Sequence, residues 1–199
     1  MLKVGLTGNI GAGKTIVSKV FNTIGVPIFY ADDIAKELTE NDNEIKKIYI
    51  DWFGSDIFKE GRLNKHMLAN IIFNDEIALQ KVNSLIHPRV ADNFIKWLKN
   101  YNNYTYVIFE SAILFDSIFK NIMDKIILVT APLELKIKRV IKRDRRNVEE
   151  IKQILSKQPN ENLLIKLADY IIINDEKELI VPRIIEIHEE LKKIAYSQN

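Results

Sequence analysis

Residues Leu2 to Thr15 read L-K-V-G-L-T-G-N-I-G-A-G-K-T. Leu2, Val4 and Leu6 form a short apolar run of strand type. Gly8 to Thr15 then complete the pattern G-x-x-x-x-G-K followed by Ser or Thr, and the amphipathic stretch Thr15 to Ile24 comes directly after. Strand, glycine loop and helix thus stand in the order that polyphosphate binding requires. Glycine lets the backbone wrap an anion so that successive N–H groups and the helix N-terminus point at it. The expected phosphate contacts are Gly8, Gly11, Ala12, Gly13, Lys14, Thr15 and Ile16. Lys14 is placed to reach the β- and γ-phosphates of a nucleoside triphosphate such as ATP, and Thr15 to offer its hydroxyl to Mg²⁺. Gly25 stands where this helix should stop.

The chain of 199 residues suits one α/β domain and is too short for two full catalytic domains. With 47% hydrophobic and 28% charged residues it reads as globular, and a net charge of +2 argues for neither a nucleic-acid nor a membrane partner. Cysteine is absent, which excludes disulfides and thiolate metal sites and is compatible with a cytoplasmic location. Met1 to Leu6 runs straight into the glycine loop and does not have the pattern of a signal peptide. No run of apolar residues is long enough for a membrane span, and no internal repeat is visible.

Five apolar runs have the length and β-branched content of buried strands: Leu2 to Thr7, Val26 to Tyr30, Thr105 to Glu110, Lys125 to Thr130 and Tyr170 to Ile173. Helical pattern separates them, which predicts a parallel sheet covered on both faces. The second and third strands lie about seventy residues apart, far more than one crossover helix needs. An inserted helical region is therefore expected, with helices over Asp42 to Phe53, Asn64 to Phe73 and Asp75 to Ile86, and another from Pro88 to Lys99. After the fourth strand Pro132 opens a helix in which Leu133, Ile137, Val140 and Ile141 form an apolar stripe. Its other face is basic: Lys136 to Arg146 carries seven basic residues against one acid, Asp144.

A phosphate loop does not say where the γ-phosphate goes. The second strand runs into Tyr30-Ala31-Asp32-Asp33, on the rim of the sheet that carries the glycine loop. Asp32 there can accept the proton of an attacking hydroxyl and is the candidate base; the alternative is that Asp32 or Asp33 caps a helix over Ile34 to Glu40. Glu110, ending the third strand, can hold Mg²⁺ through a water or be a solvated acid. Arg139 and Arg143, four apart on one helix face, suit a lid that closes over a triphosphate, against the alternative of a solvated basic face. Lys136, Lys138, Arg145 and Arg146 are read as solvated. His87-Pro88 reads as a helix junction, and His66 and His188 do not complete a metal site with it.

Several stretches together resemble the dephospho-coenzyme A kinase family. Gly5 to Thr15 is similar to its G-L-T-G-G-I-G-S-G-K-S, and Tyr30 to Lys36 to its D-A-D-x-I-A-R, whose second Asp falls on Asp32. Phe53-Gly54, Gly61 to Lys65, His87-Pro88, Glu110 to Asp116, Arg139 with Arg143-Asp144, Ser156 to Gln158 and Ala168 to Asn174 follow in the family's order. Tyr30, Lys36, Lys65, Ala112 and Asp116 depart from its pattern. Lysine in place of arginine keeps the charge and loses bidentate phosphate recognition.

The resemblance implies a P-loop kinase fold: five parallel strands in the order 2-3-1-4-5, flanked by helices. It also implies a core over residues 1–59, 101–138 and 158–199, an acceptor-binding insertion over about 60–100 and a lid over about 139–157. The implied reaction uses ATP and Mg²⁺ to phosphorylate the ribose 3′-hydroxyl of dephospho-CoA, a small-molecule partner, in a chain expected to be a monomer. Asp32, Lys14 and Arg143 would be catalytic; Arg139 and Asn174 would join the nucleotide site; Asp32, Lys36 and His87 would meet the acceptor; Thr15 and Glu110 would serve the metal. Other readings of the same residues are a different P-loop nucleoside or nucleotide kinase, or a P-loop ATPase switch.

Overall fold

A computed structural model describes residues 1–197; the side chain of Asp116 lies outside the described part, as do the last two residues of the expected core. Along the chain run β1 (Leu2–Thr7), α1 (Lys14–Thr23), β2 (Ile28–Tyr30), α2 (Ala31–Asn41), α3 (Asn43–Phe53), β3 (Phe58–Lys59), β4 (Arg62–Leu63), α4 (Lys65–Asn74) and α5 (Glu76–Leu98). β5 (Tyr106–Glu110), β6 (Lys125–Thr130), α6 (Leu133–Asp144), α7 (Val148–Lys157), α8 (Glu161–Leu167), β7 (Tyr170–Ile173) and α9 (Ile180–Ser197) follow. The chain divides into two compact units, Ala31–Lys99 and the remainder.

The larger unit is built on a sheet ordered β2-β5-β1-β6-β7, every neighbouring pair parallel. Leaving out the β3–β4 hairpin of the other unit, this is the order 2-3-1-4-5 that the resemblance implies. All five residues of β5 are buried, as a strand covered on both faces demands. Alternation divides the core: Val4, Leu6, Ile108, Ile127, Val129 and Ile172 pack with Val17 and Phe21 of α1 and Ile184, Ile187 and Leu191 of α9. Phe109, one position off this register, meets Phe29 and Phe119 with ring centroids at 5.4 and 4.7 Å. Ile24 closes α1, and Gly25 follows at φ +90°, its N–H bonded to the Asn22 carbonyl, as a C-terminal glycine should.

The smaller unit is helical, with one two-stranded hairpin that the sequence reading did not anticipate. Side-chain caps start three of its helices: Asp42 for α3, Asn64 for α4 and Asp75 for α5 each accept backbone N–H groups of the first turn. Ile45, Tyr49, Ile57, Val82, Ile86, Val90 and Phe94 are buried.

Three expectations change. α5 is one helix of 23 residues with Pro88 inside it, not two helices meeting at His87-Pro88. Proline removes one intrahelical donor, and in that turn the Arg89 guanidinium donates to the Leu85 carbonyl at 3.1 Å. α2 opens at Ala31 rather than Ile34, so Asp32 and Asp33 sit within its first turn, where a helix favours acids. In α6 the buried positions are Lys136 and Val140, whereas Leu133 and Ile141 of the expected stripe are exposed. Among the described residues no helix is long and apolar enough to cross a membrane.

Candidate functional site

The C-terminal rim of the sheet carries the glycine loop of the candidate site in the larger unit. β1 ends at Thr7, and the chain turns through Gly8 to Gly13 into α1. Gly11 and Gly13 take φ of +79° and +101°, a region that disfavours any side chain. Space forbids one as well: a Cβ on Gly11 would stand 2.5 Å from the Lys136 carbonyl oxygen, and one on Gly13 would collide with the Asn174 amide. The loop is therefore held against α6 and the segment after β7. The Gly13 carbonyl accepts the N–H groups of Ile16 and Val17, so α1 starts directly on the loop, and the N-terminus of a helix so placed suits an anion. Lys14 reaches back across the loop, its Nζ 2.7 Å from the Gly8 carbonyl oxygen. Thr15 and Ile16 are exposed at the helix start.

A polar frame fixes this backbone. Asn174, 6% exposed, donates from Nδ2 to the Ala12 carbonyl at 3.0 Å. Arg139 donates to the carbonyls of Gly11, Ala12 and Asn174 at 3.2, 3.4 and 2.9 Å, and pairs with Glu176. The Ile10 N–H donates to Oε1 of Gln158 at 2.9 Å, and Asn9 to the Pro159 carbonyl at 3.4 Å. Lys136 is not solvated as the charge pattern suggested: it is 4% exposed and bonds both oxygens of Glu161 at 2.7 and 2.8 Å. Its backbone lies against Gly11 and its side chain meets Glu161 of α8, tertiary contacts that no sequence period announces.

Glu110 lies on the same rim, buried, with Leu6 of β1 and Tyr30 of β2 as its strand partners. Asp32 follows Tyr30 by two residues and is half-buried in the first turn of α2. Arg143 stands one turn beyond Arg139, largely exposed and doubly bonded to Asp144 at 2.7 and 2.8 Å. That guanidinium holds the Asp144 carboxyl below the usual range. The structure thus joins Arg139 and Asn174 to the glycine loop and gives Arg143 a different partner.

In the smaller unit α2 packs against α5, so the helices bearing Asp32, Lys36 and His87 lie side by side. Lys36 bonds Asp33 at 2.8 Å. His87 is buried within α5, and burial pushes its pKa down, which favours the neutral ring near pH 7. A cavity of about 280 Å³ is lined by Ile34, Glu37, Leu38, Asn41, Asp42 and Asn93. Helical spacing puts its α2 residues on the side away from Asp32 and Lys36.

Residues 2–179 match the family model for dephospho-CoA kinase. The chain belongs to the dephospho-CoA kinase family. The dephospho-CoA kinase of Bacteroides fragilis strain YCH46 is 36% identical over 186 residues, covering 94% of this chain and 91% of that one. A solved structure from Thermus thermophilus superposes with a TM-score of 0.85 at 26% identity, covering 95% of this chain and 96% of the other. The dephospho-CoA kinase of Campylobacter jejuni shares the fold at a TM-score of 0.68 and 23% identity, with 96% and 97% covered. This dephospho-CoA kinase family member therefore has the P-loop kinase fold, and membership of a kinase family implies use of a nucleotide.

Within the family frame, Gln158, Glu161 and Glu176 are the residues that reading for chemistry passed over. Only Gln158 left a trace in the sequence, in the stretch Ser156 to Gln158 that resembles the family's pattern.

Proposed function

We propose that the chain transfers the γ-phosphoryl group of ATP to the ribose 3′-hydroxyl of dephospho-CoA, yielding CoA and ADP. The observation that carries the reading is the family match over residues 2–179, which includes the strained glycine loop and the side chains that frame it. Loop amides and Lys14 bind the β- and γ-phosphates, with Arg139 and Asn174 keeping the loop in shape. Asp32 accepts the proton of the 3′-hydroxyl as the new O–P bond forms and the bond from the γ-phosphorus to the bridging oxygen breaks. Lys14 and Arg143 offset the charge that gathers on the transferring group and on ADP. Lys36 and His87 contact the acceptor.

Magnesium fits the residues present. It is a hard cation that keeps waters and substrate phosphates as ligands and needs only one or two protein oxygens. Thr15 and Glu110 provide such oxygens on one rim, and no cluster of three or more His, Cys, Asp or Glu gathers among the described residues. When bound, the ion draws charge from the phosphate oxygens.

The test is to mix the protein with MgATP and dephospho-CoA and weigh the products. A product heavier than the acceptor by one phosphoryl group, formed with ADP, is expected. Hydrolysis without any acceptor, as fast as transfer to the best one, would instead point to an ATPase.

A further inference from the structure

Four consecutive residues, Gln158-Pro159-Asn160-Glu161, run from the end of α7 to the start of α8, and three of them bond to the surroundings of the glycine loop. Gln158 accepts the Ile10 N–H, and the Pro159 carbonyl accepts from Asn9. Glu161 holds the buried Lys136, whose backbone lies against Gly11. Asn160 caps α8 by accepting the Asn162 N–H, so the far end of the segment is anchored too. Asn9 and Ile10 are thereby bonded directly to the connection between two helices, and Gly11 lies against the backbone of the lysine that Glu161 holds. Pro159 stiffens that connection.

We propose that residues Gln158 to Glu161 form a strap that couples helix α7 to the nucleotide loop, with Gln158 acting as a positioning residue through the Ile10 N–H. This inference rests on the reading of the loop as an ATP site. An amide held by a side-chain acceptor cannot turn without moving that side chain, and Gln158 is rooted at the last turn of α7. When the loop tightens on a triphosphate, the strap draws the end of α7 with it. When α7 shifts, Asn9 and Ile10 shift too. The lid and the loop are then two parts of one element, and nucleotide binding is what sets their joint position.

The experiment compares the parent chain with Gln158→Ala, Gln158→Glu and Glu161→Gln. Nucleotide affinity is read by calorimetry with MgATP, and hydrogen exchange of residues 148–157 is followed with and without it. In the parent, nucleotide is expected to slow exchange in α7. Gln158→Ala is expected to raise the Kd for MgATP roughly three- to tenfold, the size of one lost hydrogen bond, and to abolish the response of α7. Gln158→Glu keeps an acceptor for the Ile10 N–H and keeps the response, which separates that bond from simple loss of side-chain bulk. Glu161→Gln, which removes the charge and one of the two acceptors of Lys136 while conserving shape, weakens the other anchor and should blunt the response less than Gln158→Ala does. Melting curves establish that each variant is folded. An α7 response in Gln158→Ala equal to that of the parent overturns the strap alone. Failure of the parent to bind MgATP overturns the kinase reading and the strap with it.

Discussion

Gly13 is the residue at which conformation and space agree most closely, since its φ of +101° and the Asn174 amide both exclude a side chain. Gly13→Ala is expected to cost on the order of 1–3 kcal/mol from the strained backbone and to abolish ATP binding; denaturant melts and calorimetry check the two effects separately. Asp32 is a different case, because its role is chemical. Asp32→Asn keeps the size of the side chain and removes the proton acceptor, so kcat should fall at least about a hundredfold while the Kd for ATP stays unchanged. Full turnover in that variant would remove Asp32 from the mechanism. Arg143→Ala should lower kcat more than it raises KM for ATP, because a side chain that is largely exposed and paired with Asp144 contributes only after it has left that partner. A change in KM alone would assign Arg143 to ground-state binding.

Among the elements, α6 carries the largest departure from its sequence pattern. A helix whose face reads as basic and solvated buries one of its lysines, and the ion pair with Glu161 makes that burial tolerable. Glu161→Ala leaves the Lys136 ammonium buried without its partner. The expected loss is about 2–3 kcal/mol, below the range for a fully enclosed pair because Glu161 retains some exposure. Urea unfolding measures it, and a loss within experimental error would mean that Lys136 finds another acceptor or reaches water. Helix α5 shows the opposite kind of surprise. Proline ordinarily marks a boundary, yet the buried residues Ile86, Val90 and Phe94 on either side of Pro88 hold the helix together through it. Packing on both sides of a break outweighs one missing hydrogen bond.

For the molecule as a whole, two histidines make folding depend on pH. Burial holds both His87 and His188 below the ordinary histidine range; at His188, Lys192 lowers the pKa further and Glu189 opposes it. His188 also shares a 2.7 Å hydrogen bond with Tyr106, whose own ionisation burial pushes up. A histidine with a depressed folded pKa contributes stability that is full above its unfolded value of about 6.5 and is lost as pH falls toward the folded one. The melting temperature should therefore drop between roughly pH 7.5 and 5.5, and His188→Gln, which leaves a hydrogen-bond partner for Tyr106, should flatten part of the slope. Identical pH profiles for the parent and His188→Gln would exclude His188 as a contributor.

What the sequence determined by itself was local or periodic. The strand, loop and helix at the N-terminus, the five parallel strands, the helix that starts at Asn64 and the glycine after α1 are set by backbone conformation and by hydrophobic spacing, which neighbouring residues carry between them. The resemblance pointed to Arg139 and Asn174, but which groups of the polar frame bond which atoms of the loop was decided by tertiary structure. Gln158 bonds a residue 148 positions away, and Asn174 one 162 away. Lys136 is buried where α6 lies against the glycine loop and meets Glu161 of α8, and Pro88 stays helical within an α5 that is packed on both sides of it. Such contacts depend on how the sheet order folds distant segments onto one rim, and neither charge pattern nor periodicity along the chain encodes which residues will meet there.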